Sequence, residues 1–279
     1  MAVRYNNASL GVASLLTALG GAVVSNDSLY INWGADLYTD AAGLNMAAYD
    51  FALVSIGPEF QGSIGSEGTP WQCDVDQTSS GVLLAAWNGK YIYHRPGSGT
   101  GIVHKFVLRP RRSDALWVQT NGTYTSAIVK GGVYKVTSSG TCVNLYQWGG
   151  FSQLLKSGPA TTLIDVSAGV CEVGRDFDNA YVRAGQAGEH GELRVVEDAV
   201  TPALIDNSGD CEYGGGNVTT FYFRPGGRTD FSKLKKNITI TNAHVFEGHE
   251  IVPPPSGVTI TVTNLYAYPT DELVARVAT

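Results

Sequence analysis

The chain has 279 residues, of which 43% are hydrophobic and 16% are charged, and its formal net charge is −6. A general nucleic-acid-binding domain is usually strongly basic, so this acidic balance argues against that class of function. The length allows one large β domain or two domains of about 100–150 residues. The 34 glycines and the 10% of aromatic residues predict many tight turns between aromatic-rich strands.

The first 24 residues have the outline of an export signal, because one basic residue, Arg4, precedes an apolar stretch with small residues around Ala22. We expect this segment to be retained. Residues 9–19 place apolar side chains at helical spacing after Ser9 and before a Gly-Gly stop, which predicts a short helix. A helix of this length needs a partner surface. We therefore predict that residues 1–65 form an N-terminal arm and linker that packs against neighbouring subunits.

Strand patterns begin at Trp71 and recur about every ten residues. Residues 90–95 and 102–109 flank a Pro-Gly-Ser-Gly turn, and Asn121-Gly122 separates two strand-like runs, so both places predict hairpins. Further strand candidates in this half are residues 116–120, 123–129, 132–137 and 142–148. Strands at this spacing predict a sandwich or a barrel.

The second half continues in the same style after a turn-like Lys-Ser-Gly-Pro segment at residues 156–159. Its strand candidates are residues 163–166, 181–184, 193–196, 218–223, 237–241 and 257–268. Over residues 258–263 apolar residues and threonines alternate strictly, which predicts one face in a core and one in solvent. A C-terminal turn at residues 270–277 is a second candidate for helix.

These patterns predict an all-β fold, a β-sandwich or barrel-like arrangement with an extended N-terminal arm that contains a short helix. We expect the arm and linker at residues 1–65 and a β domain at 66–158. Residues 159–279 would form a second β domain or a continuation of the same β fold.

The segment His244–Glu250 is the strongest candidate for a metal site, because it contains two histidines and two glutamates. On a strand, however, His244 and His249 point to opposite faces, and on a helix they are about 140° apart. The spacings of the zinc-protease motifs are absent. A loop could still gather the ligands, but we expect ordinary polar loop residues here.

Asp74 and Asp76, and likewise Asp176 and Asp178, would share one face of a strand with Cα atoms about 6.5 Å apart. Glycosidases use carboxyl groups about 5–9.5 Å apart, so the spacing leaves a glycan hydrolase open. Asp176, Asp178 and Asn179 could also bind calcium, but the EF-hand pattern does not continue after them.

Paired aspartates are common in turns, and the sequence has no nucleophile elbow, Walker loop or dinucleotide-binding motif. We therefore predict no catalytic residue, no cofactor-binding residue and no metal ligand, and no cofactor.

The four cysteines lack the close pairing of a zinc site, since no Cys-x-x-Cys occurs. Buried free thiols are the first expectation, and disulfides within or between subunits are the alternative. The residues are Cys73, Cys142, Cys171 and Cys211.

Two basic clusters and several aromatic residues are candidates for interfaces. The basic clusters, around residues 105–112 and 224–236, are typical of solvated strand ends or of interfacial salt bridges. Aromatic residues on strands are more often core or interface than platforms for sugars. The aromatic residues considered for sugar stacking are Trp33, Trp71, Trp87, Trp148 and Tyr266.

Five features describe the general character of the chain: a Met-Ala-Val start, an irregular Gly/Ala/Asn-rich arm, low charge, many short strands and no enzyme motif. In these the chain resembles virion structural proteins of tailed bacteriophages. The resemblance implies a homo-oligomeric, non-enzymatic subunit of a capsid decoration, minor capsid, tail or fibre, located in the virion.

The partners would then be copies of itself and other virion proteins, with a glycan as a further candidate and neither nucleic acid nor membrane. The alternative is a secreted, lectin-like carbohydrate-binding sandwich, and after it a glycan hydrolase.

Overall fold

The computed structural model describes residues 3–5, 28–31, 45–75, 81–96, 101–156, 158–184 and 190–268, with the side chains of 3–5 and 45–49 excepted. The strands in this part of the chain are β1 (Val3–Tyr5), β2 (Ser28–Ile31), β3 (Asn45–Asp50), β4 (Leu53–Ile56), β5 (Trp71–Asp74), β6 (Val82–Ala85), β7 (Tyr91–Arg95), β8 (Ile102–Leu108), β9 (Leu116–Gln119), β10 (Gly122–Val136), β11 (Gly140–Leu154), β12 (Thr161–Val173), β13 (Phe177–Val182), β14 (Gly191–Val195), β15 (Leu204–Asn207), β16 (Asp210–Tyr213), β17 (Val218–Phe223), β18 (Arg228–Asp230), β19 (Ile238–Phe246), β20 (Glu250–Val252) and β21 (Ile260–Tyr268).

The strands pair in parallel from turn to turn of a β-solenoid, with about ten turns in all in the two compact units of the chain. A strand typically pairs with the strand two places along the chain, as in the series β13, β15, β17, β19 and β21, and these pairings are parallel. The prediction of an all-β protein is confirmed, but the predicted sandwich or barrel is wrong. In sandwiches and closed barrels of the expected kind, neighbouring strands pair in antiparallel fashion. In a solenoid, each strand pairs in parallel with the equivalent strand of the previous turn.

Both predicted hairpins are also wrong. β7 pairs with β5 and β9, and β8 pairs with β6 and β10, so the two strands that flank the Pro-Gly-Ser-Gly segment are not partners. At the second site, Gly122 has φ +70° and donates its N–H to Oδ1 of Asn121 at 2.7 Å. The chain turns a corner of the coil there, and β10 continues parallel to β9.

The predicted helix at residues 9–19 and the predicted turn at 270–277 lie outside the described residues. No helix occurs within the ranges given above. Strands β2, β3 and β4 lie within the expected arm at residues 1–65. They and β5 each pair with a strand of the following turn.

The chain divides into two compact units, Met1–Pro159 and Ala160–Thr279. The predicted domain boundaries, at residues 65 and 158, stay predictions. The side chains of the linker-like stretch after β4 are partly core, because Phe60 and Ile64 are fully buried.

The core of unit 1 is aromatic. Phe106 lies with its ring centroid 4.7 Å from Trp117, 5.1 Å from Tyr124 and 5.5 Å from Tyr134. Aromatic residues bury large areas and favour such tilted and edge-to-face contacts. Successive turns therefore bind one another through stacked inward-facing rings.

Unit 2 has an aromatic core of its own. Phe221 and Phe223 stack at 4.2 Å, and Tyr213 and Phe231 meet Phe221 edge-on at 6.3 and 6.1 Å. The four cysteines are buried free thiols, two in each unit, as expected from the sequence.

Candidate functional site

The outward face of β13, β15, β17, β19 and β21 in unit 2 carries a continuous ladder of side chains. Parallel pairing puts one residue of each strand in register with the next, and in-register neighbours lie about 4.8 Å apart. The ladder consists of Tyr181, Asp206, Tyr222, His244 and Tyr266.

Three rings of this ladder form a stack. His244 lies between Tyr222, at 4.3 Å, and Tyr266, at 4.5 Å, with the ring planes within 16° and 10° of parallel. His244 Nδ1 also lies 3.0 Å from the hydroxyl of Tyr268. Because the rings cover one another's faces, the stack presents mainly ring edges to solvent.

Two arginines beside the ladder form ion pairs of the same kind with aspartates, one with Asp206 of the ladder and one with Asp165, which is in register with Tyr181. Arg183 binds Asp165 through Nε and Nη2 at 2.7 and 2.8 Å, and Arg224 binds Asp206 through the same atoms at 2.8 and 2.9 Å. These bidentate pairs are geometrically specific. The hydrogen bonds that Arg224 donates to Asp206 raise the pKa of Arg224 above its usual value.

The aromatic rings also contact the guanidinium groups. The Arg224 guanidinium lies 4.7 Å from the ring centre of Tyr222 and 4.8 Å from that of Phe246, and Arg183 lies 5.7 Å from that of Tyr181. Cation–π contacts of this length are favourable, so both arginines are held by an aspartate and by a ring.

A cleft of about 310 Å³ opens between the two ion pairs. Ligand-binding clefts span about 300–1,000 Å³, so this one has room for a small group. Its lining residues are Tyr181, Val182, Arg183, Asp206, Ser208, Arg224 and Pro225.

The floor of the cleft is fixed from below by buried polar groups. Asn207 is fully buried between Asp206 and Ser208, and its Nδ2 donates to the carbonyl of Arg228 at 2.8 Å and to Oγ1 of Thr229 at 2.9 Å. Such satisfied networks hold the backbone in one arrangement. The two neighbours of Asn207 therefore face the cleft from a rigid strand.

His249 supports the cleft from the next turn. Its Nδ1–H donates to the carbonyl of Arg224 at 2.8 Å, and its Nε2 accepts from the hydroxyl of Thr229 at 2.9 Å. Burial lowers the pKa of His249, which keeps it in this neutral form. His244 and His249 thus have different partners, and the described residues hold no group of three or more histidine, cysteine or carboxylate side chains placed for a metal.

The other sequence candidates are scattered. Asp176 accepts a hydrogen bond from the backbone N–H of Thr201 at 3.1 Å. Asp178 lies two residues further on, in β13, and is exposed. Trp71 and Trp87 are fully buried, whereas Trp148 is exposed with the ammonium of Lys130 4.6 Å from its ring centre. Asp76 and Trp33 lie outside the described residues.

A Cys–His pair occurs in unit 1, a combination that in enzymes can supply a nucleophile. Cys73 Sγ lies 3.3 Å from Nε2 of His94, and Nδ1 of His94 lies 2.6 Å from the hydroxyl of Tyr124. All three residues are fully buried, and burial raises the pKa of the Cys73 thiol well above its usual value. A thiol without solvent access is inert, so we assign this cluster to the core.

The described part of unit 2 ends in an open turn. Ile251, Val262 and Leu265 face the interior but are 45%, 39% and 65% exposed. Their in-register neighbours one turn earlier, Thr229, Ile240 and Ala243, are at most 1% exposed. No described residue covers this end, which is formed by β20 and β21.

Comparisons with known protein families, with curated proteins and with solved structures return no match. Within the described ranges, no helix is long and apolar enough to cross a membrane.

Proposed function

We propose that this chain is a non-enzymatic structural subunit that assembles through repeated contacts with further copies of itself. The supporting observation is the open end of unit 2, where Leu265 is 65% exposed in a column that is otherwise buried. Terminal turns of solenoids normally need a polar outer side to stay soluble. The apolar side chains that the described residues leave exposed at this turn favour a contact surface.

The occupant that suits this end is a second copy of the chain. β21 has one partner, β19, among the described strands, and the edge of a strand readily pairs with another strand. β1 is the corresponding edge of unit 1, since it pairs with β2 alone in the described part. A contact of β1 with β21 of the next copy is heterologous, so it repeats from subunit to subunit.

The setting that we propose is a virus particle, on the strength of the compositional resemblance to virion structural proteins. A lectin-like sandwich is set aside because the fold is a solenoid. A glycan hydrolase has little support at the cleft. Both oxygens of Asp206 accept N–H groups of Arg224, so this carboxyl is poorly suited to donate a proton to a leaving group.

Sedimentation velocity of the full chain over a range of concentrations tests the assembly proposal. We expect concentration-dependent association that Leu265→Asp abolishes and Asn264→Asp, on the outward side of the same strand, leaves intact. A chain that stays monomeric overturns the proposal. So does a chain that associates only after truncation at Tyr268, because residues 269–279 would then be the natural cover of this end.

Mass spectrometry of particles purified from a culture that makes the protein tests the setting. We expect recovery at high copy number together with capsid or tail proteins. Recovery in the particle-free fraction alone overturns the virion setting.

A further inference from the structure

We infer that the cleft between Arg183 and Arg224 in unit 2 binds an uncharged saccharide through a pair of neighbouring hydroxyl groups. This inference is independent of the proposed structural role. It rests on the cleft of about 310 Å³ and on the chemistry of the groups that line it.

The lining offers donors and acceptors side by side. A guanidinium has five N–H donors, and each arginine gives two of them to its aspartate. A carboxylate has about four acceptor sites, so Asp206 can accept further hydrogen bonds beside the two from Arg224. A hydroxyl group both donates and accepts, and two adjacent hydroxyls match such a donor–acceptor pair.

The balance of charge decides between an uncharged ligand and an anion. Arg183 and Arg224 are neutralised by Asp165 and Asp206 at 2.7–2.9 Å, and the chain as a whole carries −6. An anion site needs an excess of positive potential, which this cleft lacks. Hydroxyl groups need no net charge, because they are recognised by hydrogen bonds alone.

Tyr181 supplies an apolar surface at the edge of the cleft. No described aromatic ring stacks on it, whereas Tyr222 is covered by His244 and by the guanidinium of Arg224. An aromatic ring in the wall of a cleft can pack against the C–H groups of a sugar, and Tyr181 lines this cleft. This places the site at the cleft and not along the stacked ladder.

The site is also preorganised. Asn207 lies between the lining residues Asp206 and Ser208 and donates to the carbonyl of Arg228. His249 donates to the carbonyl of the lining residue Arg224. Groups that are already fixed lose little entropy when a ligand binds.

Titration calorimetry of the full chain against a panel of neutral oligosaccharides, with matched uronic-acid and sulfated oligosaccharides, tests the inference. We expect at least one neutral member to bind, with a Kd that is the same within about twofold at about 0.05 M and 0.5 M NaCl, because no ion pair with the ligand is formed. Binding of charged members alone, with strong salt dependence, overturns the inference, as does a panel without any binder.

Two variants locate the site. Tyr181→Ala and Arg224→Gln should each weaken binding at least about tenfold. Arg194→Gln is the control, because Arg194 forms an ion pair with Glu192 through a single contact of 2.6 Å outside the cleft. Tyr181→Phe keeps the ring and should bind as the wild type does, and Arg224→Gln tests the site if Tyr181→Ala fails to fold.

If Tyr181→Ala or Arg224→Gln folds, by circular dichroism, and binds as the wild type does, the assignment is overturned. The assembly-deficient Leu265→Asp variant should bind the saccharide normally, so failure of this inference and failure of the structural proposal are distinguishable.

Discussion

His94 is a buried histidine whose protonation state is fixed by its neighbours. Trp117 Nε1–H can only donate, and it donates to the Tyr124 hydroxyl at 3.0 Å. The proton of that hydroxyl is then directed to Nδ1 of His94, at 2.6 Å. The imidazole is therefore neutral with its proton on Nε2, towards Cys73, and burial lowers the pKa of His94 to about 3.

This arrangement predicts that unit 1 loses stability in acid. The unfolded chain takes up a proton on His94 below about pH 6.5, whereas the folded chain does so near pH 3. The lowered pKa of His94 therefore contributes to the free energy of unfolding, by a total on the order of 5 kcal/mol. This contribution is complete above pH 6.5 and is lost as the pH falls towards 3. All five tryptophans lie in unit 1, so urea unfolding followed by tryptophan fluorescence at a series of pH values measures it.

The control is His94→Gln, whose stability should lack this component of the pH dependence. An NMR titration of the wild type in which the His94 ring protonates near pH 6 would contradict the account.

Residue-scale chemistry of this kind was beyond sequence reasoning. Cys73 and His94 are 21 residues apart, and His94 and Tyr124 are 30 apart, so no local spacing connects them. The coil brings them together. The same is true of Arg183 with Asp165 and of Arg224 with Asp206, each pair 18 residues apart.

At the scale of single elements, the long strands β10 and β11 turn a corner at stacked glycines. Gly132 and Gly150 have φ of +68° and +71°, and a Cβ on Gly150 would lie 2.4 Å from the carbonyl oxygen of Gly132. Both the left-handed backbone and the close approach require glycine.

We predict that Gly150→Ala destabilises unit 1 by roughly 2–4 kcal/mol, through backbone strain and the displaced carbonyl. Gly131→Ala is the control in the same corner, since a Cβ there meets nothing within 4 Å. Its effect should stay within about 0.5 kcal/mol. Equal losses in the two variants, measured by tryptophan fluorescence, would refute this explanation of the corner.

The aromatic ladder of unit 2 should contribute to stability in a similar local way. His244→Ala removes two ring stacks, each worth about 0.5–1.5 kcal/mol, so we expect a loss of roughly 1–3 kcal/mol. Thr241→Ala, at an exposed position on the same strand, should cost much less. Chemical unfolding followed by far-ultraviolet circular dichroism compares them, and the stack has no energetic role if both variants match the wild type.

Sequence patterns located strands better than they paired them. The alternation at residues 258–263 gave the inward side correctly, because Ile260 and Val262 are in register with the buried Ile238 and Ile240. The Asn121-Gly122 signal failed because a left-handed glycine serves equally well at a hairpin and at a corner of a coil.

At the scale of the whole molecule, a sandwich and a solenoid share short strands, frequent glycines and alternating patterns. A solenoid differs from a sandwich in that its sequence repeats at a fixed period along the chain. In this protein the repeat is irregular. Tyr181 is in register with Asp206, and Asp206 with Tyr222, so successive turns differ in length. Loops of unequal size at the corners hide the period by which solenoids are usually recognised.

The most direct test of the account concerns the parallel register of unit 2, on which the ladder and the cleft depend. Thr220 and Asn242 are in register on adjacent turns, with Cα atoms about 4.8 Å apart, within the range of about 4.4–6.8 Å that a disulfide allows. Under mild oxidation, the full chain with Thr220→Cys and Asn242→Cys should form an intramolecular disulfide in high yield. The off-register pair Thr220→Cys and Thr239→Cys, three residues out of register with Cα atoms roughly 11 Å apart, should form little. Equal yields, or cross-linking of the off-register pair alone, would contradict the solenoid.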